Sequence, residues 1–229
     1  MDESKRSFLK RAGLGTLGLG LGAPMSAALS QDTKTERFPE ARSAKHWAMV
    51  VDVQKCREQG DCTACIDACH SVHNVPEIDD PEEEVKWIWT EHFEHVFPTQ
   101  EHPYLPDRLK ESPFVVLCNH CEEPPCVRVC PTQATWKRET DGIVMMDQHR
   151  CIGCRYCVVA CPYGSRSFNW QDPRPFIKGG IRPEFPTRTK GVVEKCNFCA
   201  ERLARGQIPA CVEACQAKGA GALVFGDPE

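Results

Sequence analysis

Sixteen cysteines stand in four groups of four along a chain of 229 residues. Group one is Cys56, Cys62, Cys65 and Cys69, and group two is Cys118, Cys121, Cys126 and Cys130. Group three is Cys151, Cys154, Cys157 and Cys161, and group four is Cys196, Cys199, Cys211 and Cys215. A cysteine count this high implies a disulfide framework in a short exported chain and metal ligation in a cytosolic one. The grouping favours metal. The length allows one or at most two small domains. A formal net charge of −4 with no basic stripe excludes nucleic acid as a partner class.

The spacing narrows the metal. Cys151-x2-Cys154-x2-Cys157-x3-Cys161-Pro162 is a complete C-x2-C-x2-C-x3-C-P run, the iron–sulfur pattern of bacterial ferredoxins. Three thiolates two residues apart line a tight loop around one cluster, and backbone N–H groups of such a loop point at sulfur as in anion-binding nests. The fourth cysteine faces away and ligates a neighbouring cluster. Pro162 then redirects the chain. Group two has a wider middle gap, group four an eleven-residue one, and group one opens on Cys56-x5-Cys62, where Gly60 allows a bulge. Crossed ligation predicts four [4Fe–4S] clusters. Cys56, Cys62, Cys65 and Cys215 hold the first, and Cys118, Cys121, Cys126 and Cys161 the second. Cys151, Cys154, Cys157 and Cys130 hold the third, and Cys196, Cys199, Cys211 and Cys69 the fourth. Structural zinc uses isolated four-ligand knuckles and leaves the long run unexplained, and eight disulfides explain it less well.

Between the groups the chain reads as α+β. Trp47 to Val53 and Phe114 to Leu117 are short β-type runs leading into groups one and two. Thr135–Lys137 and Ile143–Met146 flank Asp141-Gly142, a hairpin signal. The three-residue gap before each final cysteine fits one turn of a short helix. These units predict two pseudo-symmetric ferredoxin-like halves of βαβ type. One is residues 47–75 with 191–229, the other residues 114–170. Residues 76–113 and 171–190 are read as long surface insertions.

The N-terminal residues 1–30 read as an export signal. Ser4-Lys5-Arg6-Ser7-Phe8-Leu9-Lys10 is a charged region resembling a twin-arginine (Tat) signal, with lysine in the first basic position. A glycine-rich weakly apolar run to Ala28 follows, too short for a membrane span, so no transmembrane anchor is expected after its removal. Tat export of a folded protein reconciles a metal-loaded chain with an oxidising destination.

With four thiolates on each cluster no iron is left open, and no nucleophile–base pair or nucleotide loop is present. The chain is therefore read as a carrier of electrons and not as an enzyme. Several residues invite sharper readings. His70, His73, His92 and His95 are read as polar neighbours or surface groups, not haem or quinone ligands. The acidic run 79–84 is a solvated loop or a docking face for a basic partner. Trp87, Trp89, Phe93 and Phe97 form a satellite core or a buried contact with another protein. Lys190 and Lys195 are surface lysines or raise a nearby cluster's potential.

The four-group layout over about residues 47–225 resembles the four-cluster subunits of molybdopterin oxidoreductases and of NrfD-linked membrane complexes. Cys62-Thr63-Ala64-Cys65-Ile66-Asp67-Ala68-Cys69-His70-Ser71-Val72-His73-Asn74-Val75-Pro76, the wide Cys56-x5-Cys62 gap and Glu84-Val85-Lys86-Trp87-Ile88-Trp89 look like the DsrO type. That type is the periplasmic iron–sulfur subunit of the DsrMKJOP sulfur-metabolism complex. The resemblance implies a place on the outer face of the cytoplasmic membrane. Its implied partners are a quinone-reactive NrfD-type membrane subunit and a multihaem cytochrome c. The alternative it implies is the electron-transfer component of a molybdopterin reductase for dimethyl sulfoxide, polysulfide or tetrathionate.

Overall fold

The structure is a computed structural model that describes residues 41–228 apart from residue 111. The export signal expected over residues 1–30 lies outside the described residues. Short elements alternate along the chain: β1 (Ala48–Val51), α1 (Val53–Arg57), α2 (Ala64–Val72), β2 (Ile88–Glu91), α3 (Phe93–Val96) and α4 (Asp107–Lys110). There follow β3 (Phe114–Leu117), α5 (Pro125–Arg128), β4 (Thr135–Lys137), β5 (Val144–Met146), α6 (Tyr156–Ala160) and β6 (Ser167–Phe168). The last are β7 (Val193–Glu194), α7 (Ala200–Leu203), α8 (Ala210–Ala217) and β8 (Leu223–Gly226).

The strands form two-stranded antiparallel ladders: β1 with β8, β2 with β3, β4 with β5 and β6 with β7. The first brings the two ends of the described chain together, with Ala48 opposite Gly226. The β4–β5 hairpin forms where Asp141-Gly142 predicts it. Gly142 sits at φ +75, and a Cβ there would lie 2.6 Å from Nδ1 of His46, so both the turn and the contact require glycine. The Arg138 side chain closes the turn, its Nε donating to Asp141 Oδ1 at 2.9 Å.

The helix reading holds for two groups and fails for two. Cys65 and Cys69 lie four apart on one face of α2, as do Cys211 and Cys215 on α8, and these helices pack on each other. In groups two and three the helix stops before the final cysteine. α5 ends at Arg128, short of Cys130, and Cys161 is an extended C-cap at φ −80, ψ 112. Both cysteines precede a proline, Pro131 and Pro162, whose ring disfavours helical geometry in the residue before it. No proline follows Cys69 or Cys215, and there the helix runs on.

The main core joins Trp47, Val75, Val85, Trp87, Ile88, Ile143, Phe198, Leu203, Val212 and Leu223 to Cys65, Cys69, Cys196, Cys211 and Cys215. A second core holds Cys126, Val144, Cys157 and Val193. Seven of the cysteines are thus core residues and not surface ligands. Phe93, Leu105 and Phe114 form a satellite core with Phe97 against it, the blander of the two readings of those aromatics.

The two segments read as surface insertions are only partly so. Val85, Trp87 and Ile88 of residues 76–113 are buried in the main core, and β2 completes a ladder with β3. Residues 171–190 are fastened across the end of α2. Asn74 Nδ2 donates to the carbonyls of Arg182 (2.9 Å) and Phe185 (2.6 Å), and Arg188 Nη2 donates to Asn74 O at 2.8 Å. The sequence, acidic and aromatic in one stretch and proline-rich in the other, does not separate buried, paired polar groups from solvated ones.

Candidate metal centres

The sixteen cysteines are all free thiols, so no disulfide framework is present. Cys56, Cys62, Cys65 and Cys215 line one cavity. α2 supplies Cys65, α8 supplies Cys215, and α1 with its following loop supplies Cys56 and Cys62. Cys118, Cys121, Cys126 and Cys161 line a second cavity. A third set is wholly buried: the Cys69 thiol is pushed up by burial and by the adjacent sulfurs of Cys196, Cys199 and Cys211. In the fourth region burial raises the Cys157 thiol, with Cys151 among its neighbours, and Cys154 is exposed. Cys130 accepts from Ala134 N at 3.2 Å; burial raises its thiol, and N–H groups including that of Thr135 outweigh burial and lower it.

Neighbouring sulfurs also connect the sets. After burial, the largest influence on Cys65 is Cys211 of the third set, and on Cys196 it is Cys118 of the second. Cys157 of the fourth region is influenced by Cys126 of the second. The sets therefore adjoin in a row: Cys56/62/65/215, then Cys69/196/199/211, then Cys118/121/126/161, then the region of Cys151/154/157. The inner set of Cys69, Cys196, Cys199 and Cys211 is fully buried, and Cys154 at one end is exposed.

The donor set fits iron–sulfur clusters on physical grounds. Burial first, and mutual repulsion with it, pushes the thiols of Cys65 and Cys196 up to about 12. Such groups become thiolates at neutral pH only when a multivalent cation replaces their protons. Backbone amides stand ready to stabilise that sulfur charge. Phe198 N donates to Cys196 Sγ (3.4 Å), Ala210 N to Cys199 Sγ (3.4 Å), and Ala222 N to Cys215 Sγ (3.2 Å). The loops carry left-handed residues rare outside glycine: His120 (φ 43), Arg155 (φ 63), Phe198 (φ 53) and Cys199 (φ 52). Each lies within or beside a cysteine pair, and this geometry turns successive N–H groups inward. Gly153 (φ +69) lets the third loop approach Gly191, whose carbonyl oxygen a Cβ would meet at 2.3 Å.

Charged groups line these sites, Arg166 and His120 among them unmarked in the sequence reading. Arg166 is buried and donates from Nη2 to Cys126 Sγ at 2.9 Å. Lys195 is buried, not a surface lysine, with Nζ donating to Cys196 O at 2.6 Å, whereas Lys190 is exposed. His120 is buried, its Nδ1 accepting from Val144 N at 3.0 Å and its ring stacked on Phe198 at 3.8 Å. A lone Arg or His carries no periodic signal that would have marked Arg166 or His120.

His73 is buried and not a surface residue. Its Nε2 pairs with Glu201 Oε1 at 2.9 Å, its Nδ1 lies 2.9 Å from Cys69 O, and its ring stacks on Trp87. His92 and His95 are exposed, with His95 Nδ1 paired to Glu91 at 2.8 Å. Residues 79–84 are exposed apart from Glu83, which accepts from Gln171. Among the described residues no helix is long and apolar enough to cross a membrane.

The model of the 4Fe-4S dicluster domain matches residues 112–174 and 183–227, which contain groups two, three and four. The chain is 43% identical to the Hdr-like menaquinol oxidoreductase iron-sulfur subunit 1 of Archaeoglobus fulgidus, across 98% of this chain and 85% of that one. It is 37% identical to the B component of tetrathionate reductase from Salmonella typhimurium, across 99% and 75%. With the iron-sulfur cluster-binding subunit of menaquinone reductase from Nitratidesulfovibrio vulgaris it shares 35% identity, across 79% of this chain and 75% of that one.

Proposed function

We propose that this chain, which belongs to the ferredoxin-like family of [4Fe–4S] iron–sulfur subunits of oxidoreductase complexes, passes electrons along its row of cysteine sets between a quinone-reactive membrane subunit and a periplasmic multihaem cytochrome c. It is an electron-transfer subunit and not a catalytic one, and it carries four [4Fe–4S] clusters. The observation that carries the relay reading is the row itself, with one set sealed in the core and Cys154 exposed at one end.

The ligands we assign are Cys56, Cys62, Cys65 and Cys215; Cys69, Cys196, Cys199 and Cys211; Cys118, Cys121, Cys126 and Cys161; and Cys130, Cys151, Cys154 and Cys157. The two lined cavities and the neighbours of Cys69 support the first three sets. The fourth rests on the crossed pattern and on the meeting of Cys157 with Cys151. Packing of α2 on α8 and of α5 on α6 favours two ferredoxin-like halves, residues 47–75 with 191–229 and residues 114–170.

Each cluster, when bound, supplies a one-electron couple. The chain's own residues do the rest. Cysteine sulfurs hold the iron, inward N–H groups offset the sulfur charge, and the core excludes water from the inner sets.

The quinone side of the proposal follows from the relatives of Archaeoglobus and Nitratidesulfovibrio, whose names carry menaquinol and menaquinone. We assign the partners as an NrfD-type membrane subunit and a multihaem cytochrome c of a DsrO-type sulfur or sulfite pathway. The chain would reach the outer face of the cytoplasmic membrane by Tat export. A second reading has one specific observation behind it: the likeness to the tetrathionate reductase component covers nearly the whole chain, and with the resemblance to molybdopterin oxidoreductase subunits it supports a molybdopterin partner. Isolation of the tagged chain from native membranes, with assays for haem c and molybdenum, separates the two. Haem c without molybdenum supports the relay; molybdenum with a large catalytic subunit supports the second reading and overturns the first.

A further inference from the structure

Arg166 is a buried cation without a carboxylate. Only 4% of it is exposed, and no ion pair to Asp or Glu reaches it among the described residues. Its Nη2 donates to Cys126 Sγ at 2.9 Å and to Thr135 Oγ1 at 2.8 Å, and Nη1 lies 3.7 Å from Met146 Sδ. Thr135 Oγ1 is fixed as an acceptor there because it donates its own hydrogen to Met145 O at 2.7 Å. The guanidinium also borders the cavity lined by Cys118, Cys121, Cys126 and Cys161. It also acts on Cys157, whose thiol is raised first by burial while Arg166 works in the opposite direction. One fixed positive charge thus donates to a sulfur of the second cysteine group and acts on one of the third.

An unpaired buried charge is costly, so this position makes physical sense only if sulfur bears the matching negative charge. Arg166 is neither a ligand nor a carrier of the electron. Its effect on a one-electron couple is purely electrostatic. The added electron lands next to a fixed cation, and net charge and hydrogen bonds to sulfur are the levers that set such potentials.

We propose that Arg166 is the fixed counter-charge shared by the second and third cysteine groups, and that it makes the cluster on Cys118, Cys121, Cys126 and Cys161 easier to reduce. The inference rests on the ligand assignment above. It assigns Arg166 a positioning and tuning role, not a ligand's.

The test compares the full-length chain with its Arg166→Gln and Arg166→Lys variants, all purified anaerobically. Each is titrated with dithionite as electron donor through redox mediators, with EPR of the reduced clusters and iron and labile-sulfide assays on the same samples. Arg166→Gln is expected to lower the reduction equilibrium constant of one cluster at least tenfold, a fall of about 59 mV for a one-electron couple, or to lose that cluster. Arg166→Lys, which keeps the charge, is expected to restore most of either effect. Four unshifted potentials at full iron content in Arg166→Gln overturn the proposal. So does a defect of equal size in both variants, because it marks a role in shape and not in charge. A parent protein that itself lacks four clusters refutes the ligand assignment instead, which keeps the two failures distinct.

Discussion

Arg188 and Glu194 face each other inside the core, Nη2 to Oε2 at 2.6 Å, with neither side chain exposed to solvent. The pair ties the proline-rich residues 171–190 to β7, two residues before Cys196. Glu194 accepts two further hydrogen bonds, from Trp87 Nε1 at 2.7 Å and from Asn169 Nδ2 at 2.6 Å, and Arg188 also reaches the carbonyls of His73 and Asn74. Three distant stretches of chain meet on one carboxylate. Removing one partner of such a pair strands a buried charge, whereas neutralising both spares that cost. Arg188→Met is expected to destabilise the protein by ~3–5 kcal/mol in denaturant melts, and Arg188→Met/Glu194→Gln to recover part of the loss. A single variant as stable as the parent would show the pair to be dispensable.

Trp87 is the second tie between an apparent insertion and the core. It is 2% exposed, stacks on His73 at 4.6 Å and meets Phe185 edge-on at 5.8 Å. Trp87→Ala is expected to cost ~3–5 kcal/mol. Trp87→Phe, which fills most of the volume but loses the bond to Glu194, should cost clearly less. Thermal melts of the two variants at equal iron content make the comparison.

Loss of the clusters should unfold more than the cysteine loops. Five cysteines belong to the main core, packed with Trp47, Phe198 and Leu223, and Cys126 and Cys157 make up much of the second. Oxidative removal of iron with a chelator present is expected to abolish near-UV dichroism and open the chain to protease. Native-like protease resistance after complete iron removal would mean that the apolar contacts alone suffice.

The exposed pair Glu91–His95 supplies a pH marker far from the sulfur chemistry. The hydrogen bond that His95 donates to Glu91 raises the His95 value above the ordinary 6.5, and the same bond lowers the Glu91 carboxyl below 4.5. The His95 contribution is complete below about pH 6.5 and fades as pH rises through its raised folded value. The Glu91 contribution is complete above about pH 4.5 and fades as pH falls through its lowered folded value. The pair is therefore strongest between the two. NMR titration of the His95 ring should give a value above 6.5 in the parent and a return towards 6.5 in Glu91→Gln; no difference would break the assignment.

The cysteine spacing made the four groups legible, and with them the Asp141-Gly142 hairpin and the strand at Phe114–Leu117. Local rules also explain the one regular error: the helices of groups two and three stop early because Pro131 and Pro162 act on the residue before them. The long-range polar pairs were not legible. Arg188–Glu194 and Arg166–Cys126 join residues whose burial depends on how the loops close, and no period or motif reports that. The reading of residues 76–113 as a surface insertion missed their buried part for the same reason. Only the pairing of β2 with β3 turns Trp87 inward.

Both the fold and the relay depend on what the sulfurs hold. Iron, acid-labile sulfide and zinc should be assayed per chain on anaerobically purified protein, with EPR after reduction. About sixteen irons and as many sulfides, with spectra broadened by coupling between neighbouring clusters, are the predicted result. Zinc without labile sulfide, or iron for only two clusters, would contradict it.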